Sequence, residues 1–125
     1  MKHVRVKRDV PLMKHARDFS NNGHTIQIWP EHGYQHNGGS KGVLRGGPLK
    51  ADYQFLQMHF HWGSSNEKGS EHTLNGKGFP MELHVVHNKL GVQDYLKSNN
   101  GLAVTGFFFQ ISVNSLKSPF HIYFV

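Results

Sequence analysis

Hydrophobic and polar residues alternate along several short segments of this chain. Asn-Gly pairs, glycines and prolines separate these segments, and such residues are typical of turns between strands. The pattern therefore predicts a mainly β fold. The predicted strands are residues 25–29, 43–44, 53–62, 79–87 and 102–113.

The last predicted strand carries a row of large apolar side chains at every second position. Successive side chains of a strand point to opposite faces of the sheet, so these residues are expected to line one buried face. They are Phe107, Phe109, Ile111 and Val113. Residues 88–100 form the one plausible helix, although their apolar residues are too irregularly spaced to define a helical face.

Two histidines in the 53–62 segment are separated by a single residue. In a strand, His59 and His61 project from the same face. On a helix the same pair would lie about 200° apart around the axis and could not share an ion. The spacing therefore favours a strand if the two histidines are metal ligands.

A third histidine, His84, lies in the next predicted strand, which could run beside the first after the turn-rich residues 63–70. Three imidazoles with one open position are typical of a catalytic zinc, whereas a structural zinc is normally closed by four protein ligands. The chain has no cysteine, so thiolate ligands and disulfides are excluded. The alternative is that these are ordinary polar residues in a chain with 11 histidines.

Two further polar residues each precede one of these histidines by two positions. Gln57 lies on the face of His59, and Glu82 lies on the face of His84. Metal-bound histidines usually donate their second N–H to an acceptor. We therefore predict that Gln57 and Glu82 orient the two rings; the alternative is that they are solvated polar residues.

Length and charge narrow the class of protein. The 125 residues suit a single domain, and 37% hydrophobic residues exclude a wholly disordered chain. The net charge of +6 is scattered except near the N-terminus, and no nucleic-acid-binding motif is present, so nucleic acid is not an expected partner. No signal or transmembrane segment is visible. Cytoplasmic and secreted locations both remain open.

The histidine segments closely resemble the α-class carbonic anhydrases. Shorter matches at residues 21–24, 46–49 and 101–104 occur in the same order as in that family. A lone His-x-His also occurs in cupins, but these carry a glutamate shortly afterwards, where this chain has Ser65 and Asn66. The segments that carry the resemblance are residues 57–64 (QMHFHWGS), 69–73 (GSEHT) and 82–87 (ELHVVH).

The resemblance implies a zinc cofactor held by His59, His61 and His84. The implied reaction is the reversible hydration of carbon dioxide to bicarbonate and a proton. His24 corresponds to the family's proton shuttle, a role that suits imidazole because its ordinary pKa lies close to neutral. Glu71 aligns with a buried glutamate that accepts a hydrogen bond from a threonine, and this threonine orients the attacking hydroxide.

Four more residues match positions that line the active-site cavity of the family. The polar ones are Asn22 and Gln27, and the apolar ones, expected to form the wall that receives carbon dioxide, are Val86 and Val104. The alternative is that these are plain turn and core residues. His72 and His87 are expected to bond within the core rather than to bind metal.

The resemblance also implies a mixed, mostly antiparallel twisted sheet with minor helix. It corresponds to about half of a carbonic anhydrase domain, incomplete at both ends, over residues 21–125, after a basic arm or edge strand at residues 1–20. The partner threonine of Glu71 would lie in the missing half. An active enzyme, a non-catalytic binding module and an inert fragment all remain open, and self-association through exposed strands is expected.

Overall fold

The computed structural model describes residues 4–6, 18–30, 42–111 and 122–123. These residues form eight strands and, within the described ranges, no helix. The mainly β class predicted from the sequence is confirmed. The strands are β1 (Val4–Val6), β2 (Asp18–Asn21), β3 (Ile26–Trp29), β4 (Val43–Gly46), β5 (Tyr53–Trp62), β6 (Met81–Lys89), β7 (Leu102–Phe109) and β8 (Ile122–Tyr123).

All eight strands belong to one sheet, and every pairing among them is antiparallel. The order along the sheet is β1-β4-β5-β6-β7-β8, and the β2–β3 hairpin joins it through β3. β3 and β4 share one edge of β5: β4 pairs with its first residues, and β3 pairs with Met58 and His59 further along. The long strands β5 and β6 therefore form the centre of the sheet.

A register shift in β5 decides which side chains face which side of the sheet. Phe55 pairs with His87 and Gln57 pairs with Val86, so β5 has one extra residue, Leu56, opposite a single step of β6. The shift places Phe55 on the face opposite to Gln57, although the two are separated by one residue. Phe55 and Met58 can then be buried on one face, while Gln57, His59 and His61 are presented on the other.

The β2–β3 hairpin turns at the Asn-Gly pair that the sequence indicates. Oδ1 of Asn22 accepts hydrogen bonds from the backbone N–H groups of His24 and Thr25, at 2.9 and 3.0 Å. Gly23 adopts φ of 86°, a left-handed conformation that glycine tolerates without strain. The hydroxyl of Thr25 then donates to the carbonyl of Phe60 at 2.6 Å and ties the hairpin to β5.

Two expectations for the second half of the chain are wrong. Residues 88–100 form no helix, because β6 continues to Lys89, held between β5 and β7, and turns follow to Asn100. The strand expected over residues 102–113 ends at Phe109, and Ile111 lies beyond it with 63% of its surface exposed. Phe107 and Phe109 do share a face; Val113 lies outside the described residues.

The division predicted at residue 20 stays a prediction. Most of residues 1–20 lie outside the described ranges; β1 pairs with β4 at the edge of the sheet, and β2 spans the predicted boundary. Within the described ranges, no helix is long and apolar enough to cross a membrane.

Candidate metal centre

One row of residues crosses the sheet at the level of His59. Gln27 of β3 pairs with His59 of β5, His59 pairs with His84 of β6, and His84 pairs with Gly106 of β7. Partners in an antiparallel pair project from the same face. Because His61 lies two residues after His59, it is presented on this face as well, beside Glu82 of β6.

The three histidines converge on one point, and we refer to His59, His61 and His84 as the histidine triad. Their ring centroids are 4.5 to 5.3 Å apart. One ring nitrogen from each lies within 4.8 Å of the others, a grouping that could hold a metal ion. The strand spacing brings two of these rings together, and the cross-strand register adds the third.

The rings of His59 and His84 are oriented by hydrogen bonds through different nitrogens. Oε1 of Gln57 lies 2.9 Å from Nδ1 of His59, and Oε1 of Glu82 lies 2.8 Å from Nε2 of His84. In a neutral imidazole, the nitrogen that donates to an oxygen carries the proton, and the opposite nitrogen keeps its lone pair. Nε2 of His59 and Nδ1 of His84 are thereby left as potential ligands.

His61 supplies the observation that tests whether a metal fits. Its Nε2 is buried and has no hydrogen-bond partner among the described residues, although buried polar atoms are normally satisfied. Its Nδ1 lies 3.4 Å from Oε1 of Glu71. A cation bound at the histidine triad would satisfy the orphaned nitrogen, so the residues present fit a metal ion.

The protonation state of two triad members also suits metal binding. Burial lowers the pKa of His59 below its ordinary value, and repulsion from the charged forms of His61 and His84 adds to this effect. Burial likewise lowers the pKa of His61, although the carboxylate of Glu71 acts in the opposite direction. Both rings are therefore neutral at pH 7, and only a neutral imidazole has a free lone pair for a metal.

Glu82 is the centre of a buried hydrogen-bond network. The residue is fully buried, with 0% exposure. Its Oε1 lies 2.8 Å from both His84 and Nδ1 of His72, and its Oε2 accepts the backbone N–H of His72 at 2.9 Å. Burial alone would raise the pKa of Glu82, but the hydrogen bonds from His72 and His84 outweigh it and hold the pKa below the ordinary value.

His72 is a site residue whose role the sequence did not reveal. It was expected to bond within the core, but no sequence signal pointed to Glu82, which lies ten residues away. His72, Glu82 and His84 form a second group of possible metal ligands. At 2.8 Å, however, the facing atoms are already joined by hydrogen bonds, so this group is a network that positions His84.

The loop between β5 and β6 holds Glu71 beside the histidine triad. The backbone N–H groups of Gly69 and Ser70 donate to the carbonyl of Phe79, and the hydroxyl of Ser70 donates to the carbonyl of His72. A Cβ at Gly69 would lie 1.6 Å from the carbonyl oxygen of Pro80, so only glycine fits there. The Glu71 side chain is 55% exposed, unlike the buried glutamate that the resemblance implies.

The remaining predicted residues lie at different distances from the histidine triad. Val86 and Val104 are direct cross-strand partners on its face of the sheet, and Gln27 is the partner of His59. Asn22 and His24 lie in the exposed β2–β3 turn, where Oδ1 of Asn22 is used in turn hydrogen bonds. His87 is buried on the opposite face against Phe55, with ring centroids 6.3 Å apart.

An antiparallel sheet that presents three histidines around one point defines a β-sheet protein with a three-histidine cluster that could hold a metal ion. Sequence comparison gives the family. The family model for eukaryotic-type carbonic anhydrase matches residues 7–122. The chain belongs to the carbonic anhydrase family.

Individual relatives agree with this assignment. The chain is 41% identical over 99 residues to carbonic anhydrase 3 of Equus caballus, and 45% identical over 94 residues to putative carbonic anhydrase 3 of Caenorhabditis elegans. It is also 40% identical over 100 residues to the carbonic anhydrase-related protein of Homo sapiens. These matches cover 75% to 77% of this chain but 32% to 36% of the relatives. The chain thus spans about a third of the length of the curated relatives it matches.

Proposed function

We propose that this chain binds one zinc ion through Nε2 of His59, Nε2 of His61 and Nδ1 of His84. The observation that carries the proposal is the buried and unpartnered Nε2 of His61, at the point where the other two lone pairs converge. Three imidazole nitrogens match the donor set of catalytic zinc sites, which leave one coordination position open.

The reaction proposed for the site is the reversible hydration of carbon dioxide to bicarbonate and a proton. Zinc in a three-histidine site supplies hydroxide near neutral pH. The chain's own residues are proposed to fix the geometry: Gln57 and Glu82 hold two ligand rings, and Val86 with Val104 forms an apolar wall for carbon dioxide. Membership of the carbonic anhydrase family supports this reaction.

Four polar residues complete the proposed site. His24 is proposed to carry the proton between the site and buffer, because it is exposed at the end of the sheet where Thr25 bonds to β5. Asn22 and Gln27 are proposed to line the path for water, Gln27 as the direct partner of His59. Glu71 is proposed to act at the mouth of the site.

A second candidate is a zinc-binding module with little or no turnover. The Glu71 carboxylate is half exposed, and its partners in the described part of the chain are two histidines rather than a hydroxyl. Loss of one preorganised interaction at a reacting oxygen commonly costs ~10²–10³ in rate. One relative is named a carbonic anhydrase-related protein, which is consistent with both candidates.

The zinc proposal is tested by metal loading. The chelator-washed chain, reloaded and desalted, should retain about one zinc per chain by elemental analysis. His84→Ala should lose this zinc, whereas His24→Ala, which changes an exposed histidine of the turn, should keep it. Retention of full zinc by His84→Ala would overturn the proposed ligand set.

Stopped-flow measurement of carbon dioxide hydration separates the two candidates. An active enzyme should accelerate hydration in proportion to its zinc content, and His24→Ala should be slower in weak buffer and largely restored by added imidazole. Full zinc with hydration no faster than the buffer blank would identify the non-catalytic module. Equal loss for His24→Ala in weak and strong buffer would assign that histidine another role.

A further inference from the structure

The three rings of the histidine triad differ in how closely an oxygen acceptor approaches them. Gln57 and Glu82 lie within 2.9 Å of the rings of His59 and His84. For His61, the acceptor that the structure offers to Nδ1 is Oε1 of Glu71, at 3.4 Å. Glu71 therefore faces the one ring of the histidine triad that has no close acceptor on the described parts of the strands.

We propose that Glu71 is a positioning residue for His61: its carboxylate accepts the Nδ1–H of the ring and so keeps Nε2 unprotonated and directed at the metal position. The inference rests on the zinc site proposed above. It gives Glu71 a different task from the acceptance of a threonine hydroxyl that the resemblance implies. Each ring of the histidine triad then has its own oxygen acceptor, from Gln57, Glu71 and Glu82.

The two neighbours of Glu71 in the chain are fixed, which supports a positioning role. Ser70 N donates to the carbonyl of Phe79, and the backbone N–H of Phe79 donates to the Ser70 hydroxyl. On the other side, the backbone N–H of His72 donates to the buried carboxylate of Glu82. The backbone of Glu71 is held between these anchors, at a position from which its carboxylate lies beside the ring of His61.

The contact distance agrees with a bond that closes when a metal is present. A strong N–H···O bond measures about 2.7–3.2 Å, so 3.4 Å requires a shift of only a few tenths of an ångström. The half-exposed carboxylate has room to rotate, and bonds in metal-free or substrate-free sites are often loose until the site is filled. Oε2 lies 3.8 Å from Nδ1 of His84, so the same carboxylate also places negative charge near the metal position.

A simple charge effect must be separated from an orienting bond. Glu67 is an exposed glutamate of the same loop, and the structure gives its carboxylate no bond to the histidine triad. Glu67→Ala removes the same charge as Glu71→Ala without removing an acceptor of His61. Glu71→Gln removes the charge but keeps a side-chain oxygen that can accept Nδ1–H.

The test combines zinc affinity, measured by competition with a chromophoric chelator, with the tautomer of His61 in the metal-free chain, measured by long-range ¹⁵N–¹H correlation. We expect Glu71→Ala to weaken zinc affinity about tenfold and to convert His61 from the Nδ1–H form to a mixture. Glu71→Gln should stay closer to the parent, and Glu67→Ala should match it. Equal behaviour of Glu71→Ala and Glu67→Ala in both measurements would overturn the proposal.

The two readouts also separate this inference from the proposed function. If the parent chain fails to bind zinc but its His61 tautomer changes in Glu71→Ala as expected, the zinc proposal fails and the orienting role stands. If the parent binds one zinc and neither measurement responds to Glu71→Ala, the zinc proposal stands and the role of Glu71 is refuted.

Discussion

Oε1 of Glu82 lies 2.8 Å from Nε2 of His84, two residues along the same strand. The same carboxylate binds both the ring and the backbone N–H of His72, so a single buried anion connects β6 to the loop that precedes it. Charge-assisted hydrogen bonds of this kind are about twice as strong as neutral ones. The carboxylate is therefore expected to contribute to both folding and metal affinity.

Replacement of Glu82 should damage both properties. Glu82→Ala leaves the buried ring of His84 and the partly exposed ring and backbone N–H of His72 without an acceptor. An unsatisfied buried group costs about 1–3 kcal/mol of unfolding free energy, and a group that water can reach costs less. Zinc affinity should fall about 10–100-fold because the ring of His84 loses its fixed tautomer. Urea denaturation and chelator competition would measure the two effects. The control is Glu67→Ala, and a Glu82→Ala chain as stable as this control would contradict the network.

Gly69 should be among the least replaceable residues of the loop. A Cβ there would lie 1.6 Å from the carbonyl oxygen of Pro80, a rigid backbone atom. Gly69→Ala should therefore cost about 1–3 kcal/mol, as overpacking usually does. Gly42→Ala is the matched control, because its Cβ would meet no atom of the described residues within 4 Å and its φ is not positive. Equal denaturation midpoints for the two variants would show that the loop backbone shifts to accept a Cβ at Gly69 with little loss of stability.

Acid should destabilise the metal-free chain partly through His87. Burial lowers the pKa of this ring from 6.5, against the opposing effect of hydrogen bonds to the carbonyls of Ala103 and Val85. His87 therefore binds a proton near pH 6.5 in the unfolded chain, but only at a lower pH in the folded chain. The free energy of unfolding should fall as the pH drops below 6.5, until the lowered folded-state pKa is passed.

His87→Gln is the variant that tests this pH dependence. It removes one histidine whose pKa is lower in the folded than in the unfolded chain. The loss of unfolding free energy between about pH 7.5 and about pH 5.5 should therefore be smaller than in the parent. His59 and His61 have lowered pKa values too, so the dependence should flatten rather than vanish. Urea titrations at both pH values give the comparison. If the unfolding free energy falls as much with pH in His87→Gln as in the parent, protonation of His87 does not destabilise the folded chain.

The sheet face opposite the histidine triad should promote self-association. Ile26 and Trp62 lie on this face with 42% and 48% of their surfaces exposed, and large exposed apolar patches tend to associate. Ile26→Lys with Trp62→Lys should lower the apparent mass in light scattering. Leu96→Lys is the control, because Leu96 is 75% exposed but lies in the turns after β6. The same effect from this control would remove the sheet face as the cause.

The sequence by itself determined the local features of this protein. Strand periodicity placed His59 and His61 on one face, and the same rule placed Gln57 beside His59, because a strand repeats every two residues whatever surrounds it. The ordered motifs led to the carbonic anhydrase family. Local periodicity did not predict where the strands end, because strand ends depend on pairing with neighbouring strands. β6 extends to Lys89 because β5 and β7 hold its backbone, whereas β7 stops at Phe109.

Only the tertiary structure decided how the separate segments meet. The extra residue Leu56 in β5 sets the register that makes His84 the partner of His59, and a shift by one residue would have turned the ring to the other face. The contacts of His72 with Glu82 and of Glu71 with His61 depend on how the loop between β5 and β6 closes. Such contacts join residues far apart in the chain, so no local pattern encodes them.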